Sequence, residues 1–361
     1  MPVRYHAGVT PRPPMLVADF DYDLPPELIA QTPPACRDGA RLLVLRRASG
    51  SIAHAAIRDL PGLLREGDLL VINDTKVFPA RLLGRRVPSG GMVECLLIAR
   101  IDEERWEALV HPGQKLKPGA RVRFDGGGRS LDGEMLERHY FGRRLVRLWT
   151  EDASDVDTAI DTIGHVPLPP YIKREDRPED RDRYQTVFAR QRGSVAAPTA
   201  GLHFSDHLLA SLTAMGVERA AVTLHVGYGT FKPVRVEEVE QHVVDAERYE
   251  IGEAAAAAIA DARRQGRRVI AVGTTTTRAL ESAAGPSGRI EACKAETGLF
   301  IRPGHRFQVV EGLLTNFHLP RSSLLMLVSA FAGRERVLAA YREAVARRYR
   351  FYSYGDAMLI V

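Results

Sequence analysis

The chain has few cysteines, no long apolar run and no signal-peptide pattern among its 361 residues. Its three cysteines, Cys36, Cys95 and Cys293, lie far apart and form no CxxC pair, which argues against a disulfide framework and a zinc knuckle. The longest apolar stretch, residues 324–332, is much shorter than the about 20 residues that span a bilayer. These absences predict a cytoplasmic protein that has no membrane segment and keeps its thiols reduced.

Common cofactor motifs and oligomerisation patterns are also missing. The sequence has no Walker loop, no GxGxxG fingerprint, no internal repeat and no coiled-coil heptad. The first two absences argue against a P-loop nucleotidase and a dinucleotide-binding enzyme, and the last predicts a monomer. We expect neither a metal nor a resident cofactor.

The composition is that of a globular protein with a mild basic excess. Apolar residues make up 45% and charged residues 26%, and 50 Lys and Arg against 45 Asp and Glu give a net charge of +5. The excess serves either plain solubility or a polyanionic partner. A chain of this length predicts more than one core. Residues 1–13 are rich in proline and are predicted to be a flexible extension.

The pattern along the chain predicts an α/β (mixed α and β) protein with an inserted barrel. Short β-like runs with Gly and Pro punctuation fill residues 77–149, which favours a small antiparallel β-barrel. Helical and strand patterns alternate after residue 155, which is typical of a layered α/β domain. The predicted domains are residues 14–66 plus 156–361 for the α/β main domain and residues 67–155 for the barrel.

Two polar loops in the middle of the chain are the first candidates for a ligand site. They are APTAGLHF at residues 197–204 and LHVGYGTFKPV at residues 224–234, and each adjoins an apolar segment. Glycines allow a backbone to approach a ligand closely, and hydroxyls and histidines can hold polar groups. The candidate residues on these loops are Thr199, Gly201, His203, His225, Gly227, Gly229, Thr230 and Phe231.

Each loop carries one histidine that can exchange protons near neutrality. His203 is the better acid–base candidate of the first loop, although a structural hydrogen bond to a loop carbonyl is equally compatible with the sequence. His203 and His207 have the i, i+4 spacing of a metal pair, but no HExxH motif supports a metal.

A third candidate segment, RVIAVGTTTTRALESAA, reads as a strand, a glycine turn and a helix. Amides and threonine hydroxyls at a helix N-terminus suit a carboxylate or phosphate, so Thr274, Thr275 and Arg278 are binding candidates. The alternative is that the threonines form only the cap and the first turn, with Arg278 and Glu281 as an exposed ion pair.

The C-terminal segment mixes cations and aromatics. Arg347, Arg348 and Arg350 alternate with aromatic residues that include Tyr352, an arrangement that can contact phosphates and stack on unpaired bases. It can equally be the end of a helix with aromatic residues of the core.

Taken together, several motifs resemble one enzyme family in their order along the chain. They are NDTKVFPARL, GHVPLPPYI, YQTVFA, VAAPTAGLHF, VTLHVGYGTFKPV, VIAVGTTTTRALES, LLTNFHLPRSSLLMLVSAFAG and YRFYSYGDAMLI. In this order they resemble the S-adenosylmethionine:tRNA ribosyltransferase-isomerases of queuosine biosynthesis, from about Asp19 to the C-terminus.

The resemblance implies transfer and isomerisation of the ribosyl moiety of S-adenosylmethionine onto 7-aminomethyl-7-deazaguanine at the wobble position of a tRNA. The products are epoxyqueuosine-tRNA, adenine and methionine. It implies an α/β plus β-barrel architecture and no metal or redox cofactor, since S-adenosylmethionine is a co-substrate. Tyr184, Asn316, His318 and Asp356 join the candidates because they stand in family-like motifs.

Within this resemblance, His203 or His225 is the expected general base and Tyr184 a further catalytic candidate. Thr199, Gly201, Gly229 and Thr230 would position the ribose. The C-terminal arginines would bind tRNA. Two other classes remain open from the residues alone: a non-catalytic tRNA-binding module, and an S-adenosylmethionine-dependent RNA methyltransferase.

Overall fold

The computed structural model describes residues 14–139, 142–151, 155–231, 233–285 and 288–361. The predicted N-terminal extension, residues 1–13, lies outside this range. The helices are α1 (Val156–Ile163), α2 (Asp180–Arg183), α3 (Asp206–Ala214), α4 (Glu253–Arg264), α5 (Thr274–Ala284), α6 (Ser323–Ala332) and α7 (Arg334–Ala346).

Nine strands form one large sheet. They are β1 (Arg41–Leu45), β2 (Ile52–Ala56), β3 (Leu69–Asn73), β12 (Glu218–Leu224), β13 (Glu247–Ile251), β14 (Val269–Val272), β15 (Cys293–Thr297), β16 (Gly312–Asn316) and β17 (Ala357–Ile360). Their order is β15-β13-β12-β3-β14-β16-β17-β1-β2, and the four central strands β12, β3, β14 and β16 run parallel. The carboxyl ends of these four strands therefore meet at one edge.

Helices cover both faces of this sheet because its strands are apolar on both sides. In β3, Leu70 and Ile72 pack toward α3, whereas Leu69 and Val71 pack in the cluster that contains α4 to α7. A capping serine begins α3, since Ser205 Oγ accepts a hydrogen bond from the amide of Leu208 at 3.1 Å. The predicted layered α/β architecture is confirmed.

Six strands close into an antiparallel barrel. They are β5 (Arg81–Val87), β6 (Met92–Arg100), β7 (Arg105–His111), β8 (Arg121–Gly126), β9 (Arg129–Arg138) and β10 (Arg143–Trp149), in the order β10-β7-β6-β5-β8-β9. Alternate side chains fill the interior, among them Leu82, Cys95, Trp106 and Phe124. The predicted barrel is confirmed as part of the fold.

The structure also differs from the sequence reading around the barrel. Within the predicted segment 67–155, β3 belongs to the large sheet and β4 (Thr75–Val77) pairs with β11 (Gln191–Ser194), so the barrel strands begin only at Arg81. The β-like runs predicted from the sequence are residues 77–87, 92–100, 106–111, 121–125 and 145–149. They do not include β9, because its inward positions contain Gly133 and its other face is largely polar. At Gly133 a Cβ would lie 3.0 Å from Leu148 and Val122 side chains, so the barrel interior requires a small residue there.

Candidate active site

A cavity of about 520 Å³ opens at the carboxyl edge of the four parallel strands. Its wall contains Val226 beyond β12, Gly273 beyond β14 and Asn316 at the end of β16. Asn73 at the end of β3 supports the same edge, because its Nδ2 donates to Leu224 O at 3.0 Å and to Thr275 Oγ1 at 3.3 Å. Ligands of parallel α/β sheets commonly bind at such an edge.

The N-terminus of α5 contributes one wall of this cavity. Gly273 has φ 92°, a conformation that favours glycine, and turns the chain from β14 into the helix. Thr274 and Thr275 line the cavity, whereas the hydroxyls of Thr276 and Thr277 donate back to Val272 O and Gly273 O. No described side chain caps the first turn of α5. The first-turn amides of this helix therefore suit an anionic group.

Both central loops reach this cavity, but only some of their predicted residues line it. The first loop forms a short 3-10 helix, Thr199–His203, and places Thr199 in the wall. The second forms a 3-10 turn, Tyr228–Phe231, and places Thr230 there. Gly201 has Phe188 and Thr186 against it, since a Cβ would lie 2.8 Å from each. The side chain of Phe231 lies outside the described part of the structure.

His203 is buried behind the cavity wall and does not line it. Its exposed fraction is 2%, and its Nε2 lies 3.1 Å from Asn316 Nδ2. Because the amide nitrogen can only donate, Nε2 is the acceptor. Burial lowers the pKa of His203 to about 4, which keeps the ring neutral at physiological pH. His203 therefore contacts an amide side chain through Nε2, and a backbone hydrogen bond with Arg37 also acts on the ring.

His225 faces a different part of the molecule from the cavity. It lines a separate groove of about 580 Å³ between the barrel and the sheet, and its Nδ1 lies 2.9 Å from Thr75 Oγ1. Burial lowers the pKa of this ring. The structure therefore does not bring the two loop histidines together in one cavity.

His318 does line the cavity. Its Nε2 lies 2.8 Å from Thr315 Oγ1, and its backbone amide donates to the Tyr341 hydroxyl at 3.0 Å. Burial lowers the pKa of His318 to about 3. Among the described residues of the wall it is the single histidine, which ranks it above His203 and His225 as a group that can touch a ligand.

A buried ion pair anchors the second loop to α5. Glu247 Oε2 contacts Arg278 Nη1, and Glu247 Oε1 accepts hydrogen bonds from Gly227 N at 2.8 Å and Thr230 Oγ1 at 3.3 Å. Arg278 also donates to Leu299 O and Thr297 O. The guanidinium is thereby occupied within the protein, contrary to its predicted role in binding a carboxylate.

Arg278 and Glu281 do not form the exposed ion pair considered from the sequence. Glu281 is buried and accepts hydrogen bonds from the amides of Gln308, Val309 and Val310 at 2.7–3.1 Å. These hydrogen bonds and His305 hold the pKa of its carboxyl below the ordinary value despite burial.

Three other candidates lie outside this cavity. Tyr184 is buried in a cluster with Tyr354 and Leu202. Asp356 accepts hydrogen bonds from the backbone amides of Arg41 and Arg350 at 2.9 and 2.8 Å, so it fixes the C-terminal segment. Gly229 lines a neighbouring cavity of about 800 Å³, which Thr230 and Arg278 also line, so the two cavities adjoin at Thr230.

The C-terminal aromatics belong to the interior. Tyr349, Phe351, Tyr352 and Tyr354 are all buried, which confirms the alternative of a helix end with core aromatics. Tyr352 lines the cavity, where its ring stacks on Tyr171 at 4.2 Å and an angle of 27°. It is therefore not an exposed stacking residue. Arg347 and Arg348 remain exposed.

The sequence reading missed Tyr171, Thr315, Asn73 and Glu247. For Tyr171 the available signal was its position in a proline-rich loop, and for Asn73 its position directly after an apolar strand. Nothing in the sequence predicts that Glu247 is buried, because acidic residues are usually exposed. Within the described ranges, no group of three or more His, Cys, Asp or Glu side chains is arranged to hold a metal ion, and no helix has the length and apolar character needed to cross a bilayer.

Fold and cavity define an α/β protein that carries an inserted β-barrel and a cavity at the carboxyl edge of its sheet. The family model described as queuosine biosynthesis protein matches residues 17–360. The chain therefore belongs to this family of transferases, which confirms the resemblance seen in the sequence.

Individual relatives agree with this assignment. The S-adenosylmethionine:tRNA ribosyltransferase-isomerase of Heliobacterium modesticaldum is 53% identical over 348 residues, which span 96% of this chain and all of the relative. The protein of the same name from Symbiobacterium thermophilum is 52% identical over 347 residues, with the same coverage. The crystal structure of the S-adenosylmethionine tRNA ribosyltransferase from Thermotoga maritima matches with a TM-score of 0.54 at 39% identity, covering 95% of this chain and 100% of that one.

Proposed function

We propose that this protein transfers and isomerises the ribosyl moiety of S-adenosylmethionine onto 7-aminomethyl-7-deazaguanine at the wobble position of a tRNA. The products are epoxyqueuosine-tRNA, adenine and methionine. The observation that carries the proposal is the near-full-length similarity to ribosyltransferase-isomerases. A cavity of about 520 Å³ at the carboxyl edge of the sheet supports it, since it falls in the size range of small-molecule sites.

The reaction places three demands on the site. The sulfonium of S-adenosylmethionine acidifies the 5′ carbon of the ribose, so a general base removes a proton there. Adenine then leaves with the electrons of its glycosidic bond as the ring opens, the aminomethyl nitrogen of the deazaguanine forms a bond to the sugar, and methionine leaves with the electrons of the C5′–S bond as the epoxide closes. Each charged step needs fixed polar groups and little competing water.

The cavity offers a place for each part of the co-substrate. The methionyl carboxylate suits the N-terminus of α5 beside Thr274 and Thr275. Thr199 and Thr230 stand where the two loops meet the cavity and can hold the ribose hydroxyls. His318 is our candidate for the base because it lines the wall and is neutral. In this scheme Glu247 and Arg278 hold the loop that carries Thr230.

The proposal also covers the compartment, the oligomeric state and the cofactor requirement of the enzyme. We propose that the enzyme works as a cytoplasmic monomer and needs no metal or resident cofactor, because the sulfonium of S-adenosylmethionine already makes methionine a good leaving group.

The direct test is mass analysis of the products after incubation with S-adenosylmethionine and tRNA that carries 7-aminomethyl-7-deazaguanine. We expect adenine, methionine and a mass gain on the tRNA. The control is the same tRNA with guanine at the wobble position, which should release no adenine. Formation of S-adenosylhomocysteine would instead indicate a methyltransferase, and tRNA binding without any product would indicate a binding module.

The exposed C-terminal arginines are proposed to contact tRNA phosphates. Arg347 pairs with Glu343 on the helix surface, and Arg348 has φ 54° at the turn that follows α7. Reversing both charges, R347E and R348E, should weaken tRNA binding and reduce the slope of log K against log salt by about 1–2. The matched control reverses two exposed arginines elsewhere, Arg264 and Arg289. An equal change of slope in both double variants would remove this segment from the interface.

A further inference from the structure

Two polar atoms in the wall of the cavity have no hydrogen-bond partner among the described residues. They are Oδ1 of Asn316 and the hydroxyl oxygen of Tyr352, in side chains whose residues are 2% and 7% exposed. A buried polar atom without a partner costs about 1–3 kcal/mol. Two of them in one wall therefore indicate groups that a ligand is meant to satisfy.

The orientation of the Asn316 amide is fixed by its other contacts. Its Nδ2 donates to Tyr352 O at 3.0 Å and to His203 Nε2 at 3.1 Å. Tyr352 O is a carbonyl oxygen and can only accept, so turning the amide over would place Oδ1 against another acceptor. Asn316 thus presents an acceptor, and His203 is a positioning residue that acts through it.

Tyr352 is held in an unusual conformation beside this acceptor. Its φ is 71°, in the left-handed region that residues other than glycine rarely adopt. Such strain often persists at ligand sites, where the surrounding structure enforces it. Its ring stacks on Tyr171, and both residues line the cavity. The wall therefore combines a flat aromatic surface with one acceptor and one hydroxyl.

We propose that Asn316 and Tyr352 recognise the adenine ring of S-adenosylmethionine. Oδ1 of Asn316 accepts a hydrogen bond from the exocyclic amino group, and the Tyr352 hydroxyl donates to a ring nitrogen at the edge of the adenine ring. This inference rests on the proposed function. A donor to a ring nitrogen also stabilises the negative charge that develops on adenine as it leaves.

The first test compares S-adenosylhomocysteine with S-inosylhomocysteine, in which an oxygen replaces the amino group. Calorimetry should show about 10-fold or tighter binding of the adenine compound, because the inosine oxygen would face Oδ1 as a second acceptor. The variant Asn316→Ala should reduce this ratio to about 1. Equal affinities of the wild-type protein for the two compounds would overturn the proposal. A loss confined to the 2′- or 3′-deoxy analogue would assign Oδ1 to the ribose and also overturn it.

The second test removes only a hydroxyl. Tyr352→Phe should weaken binding of S-adenosylhomocysteine about 5-fold or more and slow adenine release, without lowering the melting temperature, because it deletes an unpartnered group. The matched control is Ser329→Ala in α6, which deletes another buried hydroxyl without a described partner, away from the cavity. Unchanged binding in Tyr352→Phe would contradict the proposal, even if Asn316→Ala did not fold.

The ratio of the affinities for S-adenosylhomocysteine and S-inosylhomocysteine also tests the role of His203. His203→Ala should narrow the ratio because the amide loses one of its two acceptors and is held less firmly, and His203→Gln should restore it because the Gln oxygen can accept from Asn316. A ratio unaltered in His203→Ala would exclude the positioning role. The wild-type protein could release adenine normally with precursor tRNA and yet bind S-adenosylhomocysteine and S-inosylhomocysteine equally. That result would overturn the proposed adenine recognition alone. Absence of adenine release would overturn the proposed function instead.

Discussion

Replacing Glu247 by alanine is expected to lower the free energy of unfolding by about 3–5 kcal/mol. The Glu247 side chain is 4% exposed and pairs with Arg278, whose side chain is 10% exposed. Removal of the carboxylate leaves the guanidinium buried without its counter-charge and the amide of Gly227 without its acceptor. Chemical denaturation, followed by circular dichroism, measures the change.

The same strand supplies a matched control for this experiment. Glu250 lies three residues further along β13 on the exposed face, and it pairs with the exposed Lys294. Glu250→Ala should change the free energy of unfolding by about 0–1 kcal/mol, as surface ion pairs do. The double variant Glu247→Leu with Arg278→Met should recover most of the loss, since well-packed apolar residues can replace a buried pair. A small effect of Glu247→Ala would show that the pair is not a structural anchor.

This ion pair also links stability to the proposed activity. Glu247 holds Gly227 and Thr230, and Thr230 lies where the two adjoining cavities meet. The sheet, the loop and the ligand wall are therefore connected through one buried carboxylate. A variant that keeps the hydrogen bonds but loses the charge, Glu247→Gln, separates the electrostatic contribution from the positioning of the loop.

The sequence was informative about the fold where local patterns coincide with tertiary burial. The alanine-rich pattern predicts a helix over residues 253–264, and these are the bounds of α4. The pattern is clear because alanine favours helices and only one face of that helix is buried. The buried strand β14 and its glycine turn were equally clear. By contrast, β3 fell within the predicted barrel domain, residues 67–155, although it lies in the large sheet, because an apolar run does not reveal which strands it pairs with.

For the site, the sequence identified residue types better than contacts. It singled out Thr199, Thr230, Thr274, Thr275, Asn316 and His318, and all of them line the cavity, while their roles in binding stay predictions. It did not reveal that the adjacent residues His225 and Val226, just beyond β12, line different cavities. Nor did it show that Asn316 separates His203 from the cavity, because that depends on packing between β16 and the first loop.

Replacing His318 by alanine is expected to reduce the single-turnover rate of adenine release about 100-fold or more, with both substrates saturating. The ring lines the cavity, and its pKa of about 3 leaves it unprotonated. A carboxylate bound nearby would raise that pKa and make the ring a stronger base, because negative charge favours the imidazolium. Rapid-quench measurement of adenine tests the prediction, and melting curves show whether the variant remains folded.

The pH dependence of the rate and variants of the other histidines distinguish His318 from other candidates for the base. A base whose pKa lies below the ordinary 6.5 is unprotonated at every pH above its own pKa. The value of kcat/KM, which reports ionisations of the free enzyme, should therefore not fall as pH drops through 6.5. Acid also weakens the fold, because the unfolded chain binds more protons below 6.5 than the folded one, so assays belong between about pH 6 and 8. His207→Ala, on the exposed face of α3, is the control and should leave the rate unchanged. If His318→Ala turns over normally while His225→Ala is impaired, proton transfer occurs in the groove beside the barrel, and the cavity at the carboxyl edge serves only to bind.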